Sequence, residues 1–228
     1  MTTIIKAHYI PQAVQFMSKE ETRFYLCGLY ICPDQTGGAR IVATDGHLLG
    51  IFRDAGGIAD APGIWPISKT LLAACKPQKT DYGTRRWVVL GEGRAVVALA
   101  DTAELAGEAA AANLPSNVVH QEFISPVDGT FPDYARIVPI AGETGWASDY
   151  FNPAILERAM SPAYWTEDGD RRKEPLSVIV ASSAAGEPAI LKVSGRTDFF
   201  GIIMPTRADE SEPLPAWWAS ALDEQVAS

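Results

Sequence analysis

The sequence predicts an α+β fold built from a repeated helix-plus-sheet unit. Three segments of the 228-residue chain share one pattern, a short amphipathic helix followed by strands. The first of them contains Asp45-Gly46 between apolar runs, a strong hairpin signal. A hydrophobic content of 47% suits one or two domains with a sizeable core.

In the first segment, Pro11 fits an early helical position. Ile10, Ala13, Val14 and Met17 then fall on one helical face. Residues 23–32 read as a strand of aromatic and apolar residues, and 40–43 and 48–53 as the two arms of the hairpin. The second segment begins near Ile64. Ser68 is a helix N-cap, and Leu71, Leu72 and Cys75 form a stripe stopped by Pro77. Residues 87–90 and 95–100 read as strands joined by Gly91-Glu92-Gly93-Arg94. The Ala/Glu-rich stretch 101–112 reads as a short helix or a mobile insertion, and 118–126 as a strand. The third segment starts near Trp146. Asn152 is a cap with Pro153 at the first helical position, and Ile155, Leu156, Ala159 and Met160 supply the apolar face. Strands are predicted over 176–181, 189–193 and 199–204, with a polar loop over 166–174. An acidic tail with Trp217 and Trp218 follows Arg207.

Composition narrows the function. No run approaches the ~18 apolar residues of a membrane span, and residues 1–6 carry no signal-peptide pattern. Cys27, Cys32 and Cys75 are too few for a disulfide framework and read as buried thiols, which makes the cytoplasm the expected compartment. The formal net charge is -9. Compact sequence-reading DNA binders are basic, so that class is disfavoured. A protein that surrounds DNA and slides needs only a local basic lining.

Three separated stretches carry a family resemblance. They are Ala43-Thr44-Asp45-Gly46-His47-Leu48-Leu49, Phe131-Pro132-Asp133-Tyr134-Ala135-Arg136-Ile137-Val138-Pro139 and Ile202-Ile203-Met204-Pro205-Thr206-Arg207, with Phe24-Tyr25-Leu26-Cys27-Gly28-Leu29 upstream. In this order they resemble the bacterial DNA polymerase III beta subunit, the beta sliding clamp family. The resemblance implies a DNA clamp fold with antiparallel sheets outside and helices inside. It implies a complete domain over 1–139 like the family's middle domain, and a shorter half-domain over 140–207 like the C-terminal half of its last domain. A tail over 208–228 lies beyond, and nothing here matches the family's first domain.

The resemblance also implies a cleft that accepts peptides from DNA polymerases and clamp loaders. It assigns Leu26, Thr44, Gly46, His47, Leu48 and Leu49 to one wall. Pro132, Arg136 and Ile137 continue it. Ile202, Met204, Pro205, Thr206 and Arg207 close it, with Asn152 at the edge. Leu, Ile, Met and Pro make a floor for apolar anchors, and His47, Arg136 and Arg207 add polar fixing points. The family usually has Arg where this chain has Leu48, and often Met where it has Thr206. The plainer reading is that these residues are core at a domain junction.

Clamp helices face duplex DNA without reading bases. Here Lys19, Arg23, Lys69, Lys76, Lys79 and Arg158 are the DNA-facing candidates; an ordinary solvated charged face is the alternative. No metal or other cofactor is expected. Asp45 and His47, joined by His8 or His120, offer the competing reading of a metal-dependent or acid-base enzyme. The leading expectation is a non-catalytic processivity factor, homo-oligomeric as a dimer or a tetrameric ring. The alternative is a decoy or adaptor that binds clamp-interacting peptides without encircling DNA. Trp217 and Trp218 would pack on the body, an interface or the cleft.

Overall fold

Alternating apolar residues build two fully antiparallel sheets whose facing sides share one core. The computed structural model describes residues 2–78, 81, 83–138, 150–182, 184 and 186–206. Lys79, Arg207, the tail with Trp217 and Trp218, and the boundary at 139/140 lie outside the described residues. In chain order the elements are β1 (Thr2–Lys6), α1 (Tyr9–Ala13), β2 (Gly28–Pro33), β3 (Ala39–Thr44), β4 (Leu48–Asp54), β5 (Ile58–Ala59), β6 (Gly63–Pro66) and α2 (Lys69–Ala74). Then come β7 (Arg85–Gly91), β8 (Arg94–Ala100), α3 (Ala103–Ala111), β9 (Val118–Phe123), α4 (Pro153–Ala159), β10 (Val178–Ala181), β11 (Ala189–Val193) and β12 (Phe199–Ile203). The five-stranded sheet has the order β5-β1-β7-β8-β9, and the seven-stranded sheet β10-β11-β12-β4-β3-β2-β6.

The seven-stranded sheet joins the first segment to the third. β12 lies antiparallel beside β4, from Phe199 opposite Phe52 to Ile203 opposite Leu48. The inner side chains of both sheets, among them Ile5, Leu29, Ile41, Phe52, Val88, Leu90, Val97, Leu191 and Phe199, form one buried cluster. α2 and α4 send Leu71 and Ala159 into it. The caps read from sequence are in place: Ser68 Oγ accepts from Leu71 N at 2.9 Å, and Asn152 Oδ1 from Ala154 N at 2.9 Å.

α3 occupies a different layer. Its Ala103, Ala106 and Ala109 pack with Ile4, Trp87, Ala98 and Ala100, residues that alternate with the core set along their strands. The insertion is therefore a helix, and it covers the outer face of the five-stranded sheet. Small side chains let it lie close to that sheet.

Several sequence expectations are corrected. Residues 23–32 are not one strand: a 3-10 turn spans Glu21–Leu26 and the strand starts at Gly28. Arg23 Nε donates to Glu20 Oε2 at 2.7 Å, a local i,i+3 pair that an extended chain would pull apart. The turn also lets Leu26 join the outer apolar cluster while Leu29 and Ile31 enter the inner core. β1 and β6 were not anticipated. Cys27 and Cys32 are half-buried rather than buried; only Cys75 fits, its thiol pushed up to about 12 by burial.

The first helix also stops earlier than its apolar period suggested. It ends at Ala13, and the buried anchor beyond it is Phe16, fully out of solvent, with Met17 half-buried. Phe16 lies edge-on to Phe52 at 5.9 Å and 5.9 Å from Phe199, over the β4–β12 seam. Gly50 makes room for it: a Cβ there would meet the Phe16 ring at 2.7 Å. Gly50→Ala is expected to cost about 1–3 kcal/mol by overpacking, read as a lower Tm in thermal unfolding. An unchanged Tm would contradict this packing.

Candidate functional site

The Asp45-Gly46 turn is organised by its own side chains. Thr44 Oγ1 accepts from Gly46 N at 3.1 Å, and Asp45 Oδ1 accepts from His47 N and Leu48 N, each at 2.9 Å. Gly46 sits at φ 93°, a backbone region that favours glycine. The other carboxylate oxygen of Asp45 takes Arg158 Nη1 at 2.8 Å. Arg158 also donates to Gln15 O at 2.8 Å and Met17 O at 3.3 Å. One guanidinium thus ties α4, the end of the first helical segment and the hairpin turn together.

The third segment reaches the turn through β12. Met204 N donates to His47 O at 2.9 Å, just past the strand end. Thr206 follows, its N and Oγ1 both bonded to Tyr150 O, at 2.7 and 2.9 Å. Tyr150 is 56% exposed beside this strand end; no sequence signal marked it.

The second segment reaches the same place across the outer face of the seven-stranded sheet. Val127 N donates to Ile64 O at 2.8 Å. Phe131 stacks on Tyr30 with centroids 4.7 Å apart and planes 10° from parallel, and Tyr134 meets both rings edge-on. Arg40 Nη1 donates to the Tyr134 hydroxyl at 3.4 Å. These aromatics pin the connection and set Ile137, 43% exposed, at the end of a 3-10 turn.

Three distant stretches therefore meet in one depression lined by Thr44, Gly46, His47, Leu48, Leu49, Ile137, Ile202 and Met204. Leu26, Leu49 and Ile202 belong to the apolar cluster beneath it. Its free volume is only about 10 Å³, roughly one water's worth. An apolar anchor can enter only if Ile137 and Met204 shift, and a methionine's three rotatable bonds suit that movement. Pro132 and Arg136 do not line the depression. They are exposed, and Arg136 pairs with Asp133 at 2.9 Å. Asn152 is spent on capping α4, and Pro205 and Thr206 lie just beyond the lining.

The basic candidates divide. Lys19, Lys69 and Lys76 are exposed. Arg23 donates to Glu20 and, at 3.4 Å, to Asp45 O. Arg158 is 30% exposed, and its Nε, Nη1 and Nη2 each donate one bond to the internal partners above.

The acid-base and metal readings find little support in this geometry. Both Asp45 carboxylate oxygens have partners within the turn and α4. His120 Nε2 is engaged with Glu122 at 2.9 Å on β9. His8 lines another cavity, of about 410 Å³, with Asp81, Arg86, Arg85 and Asp168. Burial first, then nearby Lys6 and Arg196, push the His8 pKa down to about 3. Among the described residues no three His, Cys, Asp or Glu side chains converge as metal ligands. No helix among them is long and apolar enough to cross a membrane.

No family model matches the chain. Over 128 residues, 54% of its length, it is 34% identical to the beta sliding clamps of two Caulobacter vibrioides strains. That match takes in 29% of each relative, so the chain spans less than a third of the curated relatives it matches. Among solved structures, the DNA polymerase sliding clamp of Pseudomonas aeruginosa superposes with a TM-score of 0.55 at 18% identity, over 91% of this chain and 66% of that one. That of Bacillus subtilis gives 0.56 at 15%, over 92% and 65%. At such identities these likenesses speak for the fold alone.

Proposed function

We propose, from the premise that the chain is a relative of the bacterial beta sliding clamps and carries their fold, that it is a non-catalytic processivity factor. It tethers a polymerase or another replication protein to duplex DNA by holding a short peptide of that partner. The observation that carries this reading is the meeting of residues 44–49, Ile137 and 202–204 in one apolar depression. Tethering adds no chemistry; it raises the partner's local concentration at the primer end. In this reading residues 1–139 act as a full clamp domain and 140–207 as a half-domain, and chains assemble as a dimer or a tetrameric ring.

Titration of a fluorescent peptide with Leu and Phe anchors tests the cleft. Saturable binding is expected; no binding at millimolar protein would overturn the reading. Encirclement has its own test. Retention on closed circular DNA is expected to exceed that on linear DNA. Contacts from Lys19, Lys69 and Lys76 are expected to weaken with salt, by about 0.9 in log-log slope per phosphate neutralised. Equal retention on both DNAs would remove the topological link.

That outcome, with peptide binding intact, would select the decoy or adaptor reading. One observation already favours it: Arg158 holds three partners within the chain, and Arg23 is paired on the surface with Glu20.

A further inference from the structure

The outer face of the seven-stranded sheet carries a second hollow besides the depression. It is an open groove of about 380 Å³, floored by Tyr30, Ile64 and Phe131 and walled by Pro62, Pro126 and Gly129. The two prolines and Gly129 are exposed, and Tyr30 is half-buried. One apolar cluster underlies both hollows, with Ile64 and Phe131 under the groove and Leu49 and Ile202 under the depression. Phe24 stands at the rim: a Cβ on Gly129 would lie 3.4 Å from its ring, and Phe24 is 52% exposed.

Stacked aromatics flanked by prolines are a surface that proline-rich segments select. A polyproline II strand is already stiff before it binds, so little entropy is lost on docking. The chain has such a segment close at hand. Glu212-Pro213-Leu214-Pro215-Ala216-Trp217-Trp218 begins nine residues after β12 ends at Ile203.

Reach and charge both suit the groove. Phe200, Ile51, Val42 and Tyr30 stand opposite one another across β12, β4, β3 and β2. Three strand spacings, and the three residues from Phe200 to Ile203, put Tyr30 about 17 Å from the end of β12. The twelve residues from Ile203 to Pro215 extend to about 40 Å. That leaves room for the detour through Thr206, which is bonded to Tyr150 O. Arg136 lies on the connection between Phe131 in the groove and Ile137 in the depression, its side chain 83% exposed. It offers a counter-charge to Asp209, Glu210 and Glu212, which precede the prolines.

We propose that this groove is the docking site of the chain's own residues 212–218. Pro213-Leu214-Pro215 lies as a polyproline II segment over Tyr30 and Phe131, and Trp217-Trp218 covers the bared ring of Phe24. The contact needs neither a partner's peptide nor DNA, so it stands apart from the tethering reading.

The test uses the full chain. Thr130 lines the groove, whereas Ser116 is exposed and lines neither hollow. Mild oxidation of Thr130→Cys/Leu214→Cys is expected to join the two positions within one chain. The yield should be about tenfold that of a Ser116→Cys/Leu214→Cys control, because docking raises the local concentration of one thiol at the other. Peptide mapping by mass spectrometry separates this bond from any at Cys27, Cys32 or Cys75. Fluorine NMR of the chain carrying 5-fluorotryptophan, with no cysteine introduced, gives a second reading. The Trp217 and Trp218 resonances, assigned through Trp217→Phe and Trp218→Phe, are expected away from their positions in a free 208–222 peptide. They are expected to return to those positions in Pro213→Ser/Pro215→Ser. Equal cross-linking yields, or a bond found only between chains, overturn the proposal. So do tryptophans at free-peptide positions in the wild type, or resonances that the double proline variant leaves in place.

Discussion

Arg196→Met is expected to cost about 3–5 kcal/mol, the usual loss when one partner of a buried ion pair is removed. The Arg196 side chain is fully out of solvent. Its Nε and Nη2 hold both oxygens of Asp198, at 2.6 and 2.9 Å. Its Nη1 reaches Gln12 Oε1 at 3.1 Å, Pro162 O at 3.0 Å and Trp165 O at 3.1 Å. Tyr9 adds its hydroxyl to Asp198 at 3.1 Å. The guanidinium thus binds the β11–β12 turn to α1 and to the turn after α4, which come from opposite ends of the chain. Methionine keeps the volume but leaves Asp198 and the carbonyls short of donors. Lysine cannot rescue it, because a single ammonium cannot span this fork. Urea unfolding reads the effect as a lower midpoint for both variants. A midpoint equal to wild type for Arg196→Met would show that the pair does not hold the segments together.

Met204→Glu is expected to weaken an anchor peptide by about 30-fold, since burying an unpaired charge in such a site costs ~2 kcal/mol or more. Met204 is half-buried at the mouth of the depression, and its backbone N–H, not its side chain, makes the bond to His47 O. The substitution therefore leaves the β12 register intact. Met204→Leu, close in volume and apolar, is expected to bind within a fewfold of wild type. Isothermal titration of one peptide against the three proteins decides it. Equal affinities for wild type and Met204→Glu would place the peptide elsewhere on the surface.

Where the physics is local, the residues themselves were enough. Asp45-Gly46 makes a hairpin because a carboxylate can accept from the next backbone N–H groups and glycine tolerates φ 93°. Ser68 and Asn152 cap helices because their oxygens reach N–H groups two or three residues ahead. The hairpin at Gly91-Glu92-Gly93-Arg94 and most strands of the third segment follow from the same short-range rules.

Only the tertiary structure decided the rest, because those outcomes rest on partners far away in the chain. An aromatic-rich stretch at Arg23–Leu26 looks extended by composition; a Glu20–Arg23 pair and the separate destinations of Leu26 and Leu29 make it a turn. Arg158 reads in sequence as a DNA-facing or solvated charge, yet carbonyls and a carboxylate from other segments engage it; Arg196, which no sequence signal marked, is drawn fully inward by carbonyls of another segment. The Ala-rich stretch reads as a helix, but no local rule says which face of a sheet it covers. The three stretches of the depression could be named from the resemblance. That Ile137 meets Met204 depends on Phe131, Tyr30 and Tyr134 packing the connection onto the outer sheet face. Backbone capping is paid within one turn of chain; burial and long-range ion pairs are settled only when the sheets close.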